Sequence, residues 1–64
     1  MPNITIEGPE LDLEAKRVLV KEVTDAAAKA FPHIAREHIV VILKANQPEN
    51  VGVGGVLIVD RRIP

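Results

Sequence analysis

At 64 residues the chain has room for one domain and excludes a multidomain enzyme; 47% of it is hydrophobic but only 2% aromatic. It has no Cys, so disulfides and thiolate metal sites are excluded, and its two His are too few for a structural zinc site. Eight Lys and Arg against nine Asp and Glu leave a net charge of −1, which argues against a dedicated nucleic-acid binder.

A domain of about 60 residues buries only about 60% of the surface its unfolded chain exposes. Lacking disulfide and metal, such a chain is most readily stabilised by partner subunits. The single protomer is therefore not expected to be the working unit. No run approaches the ~18 consecutive apolar residues of a membrane-spanning helix. No basic segment followed by an apolar one opens the chain, so a cytoplasmic protein is the default expectation.

The first predicted element is a strand from Asn3 to Glu7, with Ile4 and Ile6 on one face and Thr5 on the other. Gly8-Pro9 ends it. Asp12 is a good N-cap for a helix over Leu13–Ala30, and Glu14 suits the helix's positive end. At about 100° per residue, Leu13, Ala15, Leu19, Val20, Val23, Ala26, Ala27, Ala30 and Phe31 share one apolar arc. Val18 falls on the polar side as an ordinary exposed apolar residue. Lys16 falls inside the arc, where its stem is expected to carry the ammonium past the helix end.

Pro32 stops the helix, because it has no N–H and disfavours helical geometry at Phe31. A short turn over Ile34–His38 leads to the β-branched run Ile39–Leu43. That run shows no alternation, so both faces of the strand are expected to be buried. The helix can cover one face, and a second subunit must cover the other. A polar loop over Asn46–Asn50 follows, then the glycine-bent Val51–Gly55 and a terminal strand or hairpin over Val56–Val59. Asp60-Arg61-Arg62 makes a charged tail. The whole implies one α/β (α+β) domain over residues 1–64. Its β-α-β crossover is right-handed and parallel, a C-terminal β-hairpin follows, and sheets pack face to face in an oligomer.

Little of this pattern carries chemistry. Gly52-x-Gly54-Gly55 lacks the Lys-Ser/Thr of a phosphate loop and precedes no helix, so it reads as backbone freedom for a sharp turn. His33 and His38 flank a turn at a spacing that suits neither helical nor strand metal ligation. No nucleophile has a neighbouring base. One feature remains: Pro2 directly follows Met1. Removal of Met1 leaves a secondary amine at the chain start. An α-amino group has an ordinary pKa of about 7.7–8.0, and an apolar wall lowers it. A neutral amine near pH 7 suits proton abstraction beside a carbonyl.

Pro2, a short strand, one amphipathic helix bearing Lys16 and Glu22-Val23, a β-branched second strand and Asn50-Val51-Gly52-Val53-Gly54-Gly55 together resemble the 4-oxalocrotonate tautomerase family over essentially the whole chain. The resemblance implies a β-α-β protomer and a homohexamer built as a trimer of dimers, with dimers as the other assembly. It implies keto–enol tautomerisation of 2-hydroxydienoates or 2-oxo acids with the amine of Pro2 carrying the proton. It implies no metal or organic cofactor; charge and hydropathy, separately, leave neither nucleic acid nor membrane as an expected partner.

The departures from the family pattern are specific. An arginine of its best-known members, in the loop after the first strand, falls at Glu10 or Leu11. A second arginine falls at Val40, and an aromatic before the glycine motif falls at Val51. Pro2 is carried over, while Val40, Val51 and Leu11 are expected to form an apolar wall. The cations left to bind a substrate are Arg61, Arg62, Lys44 and Lys16. Arg61 and Arg62 are favoured, because a terminal hairpin can reach a neighbouring protomer. The alternative is a non-catalytic oligomeric module that keeps the fold for small-ligand binding or assembly.

Overall fold

The structure, a computed structural model, describes residues 1–61. Two parallel strands, β1 (Asn3–Gly8) and β2 (Val40–Ala45), are joined by a single helix, α1 (Leu13–Ala30). The register runs from Asn3 opposite Val40 to Gly8 opposite Ala45. Because side chains alternate along a strand, Ile4, Ile6, Val41 and Leu43 share one face. All four are half-buried, and Leu19 of α1 meets Ile6 and Leu43 across a common cleft. The other face carries Asn3, Thr5 and Glu7 of β1 beside Val40, Ile42 and Lys44 of β2.

The helix has the predicted bounds, and its ends show why. The Asp12 carboxylate accepts a hydrogen bond from the Ala15 backbone N–H at 2.8 Å, satisfying one of the unpaired donors of the first turn. At the other end the Phe31 N–H closes on the Ala27 carbonyl at 2.9 Å, and Pro32 has no N–H with which to continue. Asp25 then ties the helix to the entry of β2. Its carboxylate meets Lys21 at 2.8 Å and Arg36 of the 3-10 turn Arg36–His38 at 2.7 Å. Hydrogen bonds from Lys21 and Arg36 hold the Asp25 carboxyl below the usual carboxylate range. Asp25 in turn raises the Lys21 ammonium, mainly through the same hydrogen bond.

Beyond β2, the 3-10 turn Pro48–Asn50 leads into a small antiparallel hairpin, β3 (Gly52–Val53) and β4 (Val56–Leu57). Its two-residue loop is Gly54-Gly55, at φ of 61° and 84°. Positive φ at both central positions is the signature of the type I′ turn that suits strand twist. Three details differ from the sequence expectation. β2 begins at Val40 rather than Ile39 and runs on to Ala45. β4 ends at Leu57, and Ile58–Asp60 forms a 3-10 turn instead of continuing the strand to Val59. Leu13, Ala26, Ala30 and Phe31, placed on the apolar arc, are exposed.

The last difference has a general cause: this protomer has almost no interior. Among the described residues only Ala27, at 7% exposure, is a buried hydrophobic. Ile42 on the open sheet face is 44% exposed, and Val53, Val56 and Leu57 of the hairpin and Val59 of the turn after it are exposed as well. The radius of gyration is 15.4 Å. A compact chain of this length has one of about 11 Å. The hairpin packs mainly against its own flanking turns and gives the molecule a long dimension of 46 Å. Among the described residues no helix is long and apolar enough to cross a membrane.

Candidate functional site

Pro2 precedes β1 directly, and its carbonyl accepts the Val40 N–H at 3.0 Å. The chain start is thereby fixed to the first residue of β2. Met1, by contrast, is 81% exposed. While Met1 is attached, the Pro2 nitrogen is an amide without basicity. Met1 takes no part in the Pro2–Val40 bond. The structure therefore brings together two of the residues singled out from sequence, Pro2 and the apolar Val40.

The other singled-out residues lie elsewhere in one protomer. Leu11 follows the opposite end of β1, at about 3.3 Å per residue some 20 Å from Pro2. Val51 lies where the hairpin begins, and its carbonyl accepts the Ile58 N–H at 2.8 Å. Arg61 turns back on the hairpin and donates to the Val53 carbonyl at 3.4 Å. Arg62 falls outside the described residues. Lys44 stands opposite Glu7 on the open-face row, and the Asn46 side-chain amide donates to Glu7 at 3.1 Å.

Lys16 carries its ammonium past the helix start, as expected, to a partner the sequence did not indicate. Its Nζ lies 2.6 Å from Oε1 of Glu10, two residues before the Asp12 cap. The Leu11 N–H donates to the same Oε1 at 3.1 Å. Hydrogen bonding and charge from Lys16 hold the Glu10 carboxyl below its usual range. A related contact has a precedent: the residue just before a helix cap, one position after Glu10, commonly staples onto the fourth helical position by apolar contact. Here a charge pair fills that role, which is why hydrophobic periodicity alone does not reveal it. Beneath the pair lies a cleft of about 390 Å³, with Ile6, Leu11, Leu19 and Leu43 among its walls.

The match that decides the family covers residues 2–61, which fit the family described as "Tautomerase enzyme". The chain belongs to the tautomerase family. Solved structures agree in fold. DmpI from Archaeoglobus fulgidus is 39% identical, with a TM-score of 0.81, over 92% of this chain and 100% of that one. YwhB, a homologue of 4-oxalocrotonate tautomerase, is 29% identical, with a TM-score of 0.87, over 95% of this chain and 100% of that one. A putative 4-oxalocrotonate tautomerase from methicillin-resistant Staphylococcus aureus is 33% identical, with a TM-score of 0.79, over 92% and 95%. No curated protein sequence matches the chain. As in its tautomerase relatives, the β-α-β unit with a C-terminal hairpin is the fold, and a tautomerase-like function goes with it.

Proposed function

We propose that the chain, as one domain over residues 1–64, is a proton-transferring isomerase whose general base is the Pro2 amine freed by loss of Met1. Its substrate is a 2-hydroxydienoate or 2-oxo acid. The neutral amine takes the enol O–H proton and returns it to a carbon of the conjugated system. The C=O bond forms as the C=C bond shifts, and the amine ends neutral. The observation that carries this reading is Pro2 itself, held at the strand start by Val40 in a chain of the tautomerase family. Val40 and Val51 supply an apolar wall that lowers the amine's pKa. The reaction calls for neither metal nor organic cofactor.

The working unit of this reading is a self-associated one, a homohexamer of three dimers or a dimer. It is motivated by the bare sheet face at Ile42 and the exposed hairpin. The test compares Met1-free protein with its Pro2→Ala variant on 2-hydroxymuconate and phenylenolpyruvate, following the enol absorbance. Ketonisation should depend on Pro2; equal rates in both proteins would sink the proposal.

A second reading keeps the fold as a non-catalytic binding or assembly module. It is favoured by Glu10, Leu11, Val40 and Val51 standing where the resemblance implies arginines and an aromatic, and by Arg61 being engaged with Val53. Intact mass measurement on the protein from its native cells separates the two. Uniform retention of Met1 selects the module.

A further inference from the structure

The two ends of the β1–β2 ladder are held differently. At the far end the Asn46 N–H closes on the Gly8 carbonyl at 2.9 Å, and the Asn46 side chain adds its own bond to Glu7 at 3.1 Å. At the near end the Val40 N–H closes on the Pro2 carbonyl at 3.0 Å, and Val40 has no polar side chain to add a second bond. Support there must come from the chain that enters β2. That chain is the 3-10 turn Arg36–His38, which is exposed throughout and has no side-chain cap. Burial therefore does little to hold it. Arg36 reaches out of the turn to α1, its guanidinium 2.7 Å from Oδ1 of Asp25. The other Asp25 oxygen, Oδ2, meets Lys21 at 2.8 Å, so the carboxylate is restrained from two sides. A single exposed ion pair contributes little, but several charges joined in a network of good geometry contribute more.

We propose that Asp25 is a positioning residue for the Pro2 amine, acting through Arg36 and the entry of β2. The inference rests on the reading of that amine as the base. The relay is short. Asp25 holds the Arg36 side chain, and the Arg36 carbonyl accepts the Ile39 N–H at 3.1 Å. The next N–H along the chain, that of Val40, holds the Pro2 carbonyl. The nitrogen and carbonyl of Pro2 belong to one residue, so a shift of the carbonyl carries the nitrogen with it. Rates depend steeply on such placement: a displacement of about 1 Å caused far from the chemistry can cost about 10²-fold. Lys21 and Arg36 hold the Asp25 carboxyl below the usual carboxylate range, so the tie is present at neutral pH.

The test measures amide hydrogen exchange and steady-state ketonisation of 2-hydroxymuconate on the Met1-free full chain. Asp25→Asn should speed exchange at the Val40 amide about threefold, the scale of an exposed ion pair, and leave the Asn46 amide at the far end unchanged. Its kcat should fall by about the same factor with KM unchanged, since the substitution moves the amine and removes no substrate contact. Arg36→Gln should reproduce both effects, and Arg36→Lys should keep most of the protection at Val40. The Asp25→Asn/Arg36→Gln double variant should be no worse than either single one, because the two residues act as one unit. Equal acceleration at Val40 and Asn46 would mean that Asp25 only stabilises the fold, and it overturns the proposal. So does an unchanged Val40 amide, a change in KM alone, or losses that simply add in the double variant. Arg36→Gln, on an exposed turn, keeps the proposal falsifiable should Asp25→Asn fail to fold. An unchanged Val40 amide in an active protein sinks the relay and leaves the Pro2 reading standing. Inactivity of the unmodified Met1-free chain sinks the Pro2 reading, and the role of Asp25 with it, whatever the exchange at Val40.

Discussion

The Val40 N–H donates to the Pro2 carbonyl at 3.0 Å, so the residue proposed to carry the reacting amine is tied to β2 through its backbone. A substitution at Pro2 therefore changes the amine without releasing the chain start. Pro2→Ala in Met1-free protein should keep the fold, seen as an unchanged circular dichroism spectrum. It should also lose about 10²–10⁴-fold in ketonisation rate, the usual contribution of a positioned base. A ¹⁵N titration of Pro2 in the unmodified, Met1-free protein should give a midpoint below the ordinary α-amino range of about 7.7–8.0. A midpoint within that range would remove the apolar wall from the argument.

The helix start offers a second check. Asp12 satisfies the Ala15 N–H at 2.8 Å, and no glutamate stands at Ala15 to share the task as in a reciprocal capping box. Asp12→Ala should cost about 1 kcal/mol in urea unfolding, while Asp12→Asn or Asp12→Ser should cost less. A cost indistinguishable from zero would mean that α1 is held by packing alone.

Punctuation residues made most of the fold legible in the sequence. Asp12, Pro32 and the Gly54-Gly55 pair each act within a few residues, through capping, a missing N–H and positive φ. The pieces that stayed hidden depend on contacts the local pattern does not encode. Val56–Val59 is as β-branched and apolar as a strand should be. β4 nevertheless stops at Leu57: the Ile58 N–H still bonds the Val51 carbonyl in the hairpin register, but Ile58–Asp60 then closes a 3-10 turn with the Arg61 N–H on the Ile58 carbonyl. Glu10 reaches Lys16 only because the loop folds back onto the first turn of α1. Of the candidate site, Pro2 and Val40 could be paired from sequence. The separation of Pro2 and Leu11 within one protomer could be read too, since the two flank the predicted first strand.

The hairpin turn separates backbone strain from crowding. A Cβ added at Gly54 or Gly55 meets nothing within 4 Å, so any penalty at these positions comes from φ. Gly55→Val should destabilise by roughly 1–2 kcal/mol or more, whereas Gly55→Asn should be markedly milder because Asn tolerates the left-handed region. Thermal melts of the two variants settle this, and equal losses would contradict the φ argument.

The Glu10–Lys16 pair makes a pH prediction with a definite sign. Lys16 lowers the folded-state pKa of Glu10, so the pair's contribution is present above the ordinary carboxylate pKa. It is lost as pH falls through the lowered folded value. Because both side chains are substantially exposed, the effect belongs in a site-specific titration and not in a melting curve. The Glu10 carboxyl ¹³C signal should titrate below the ordinary range and move back toward it in Lys16→Met. An unchanged midpoint in that variant would show that the ion pair does not persist in solution.

The largest prediction concerns the face that carries Thr5 and Ile42. Burying an isoleucine side chain stabilises by about 1.5–3 kcal/mol, yet Ile42 is 44% exposed and α1 does not cover its face. Ala27 alone among the described residues is a buried hydrophobic, so one protomer removes too little apolar surface from water to offset its chain entropy. Association of chains through this face and the hairpin should supply the missing burial. Sedimentation velocity at micromolar concentration should show an oligomer for the unmodified chain. Ile42→Asp sets a charge into the buried face, and it should yield smaller species that are largely unfolded, because assembly and folding draw on the same surface. A folded, stable monomer of the unmodified chain would refute the coupling outright. A folded monomer of Ile42→Asp would show instead that the protomer holds together without its partners.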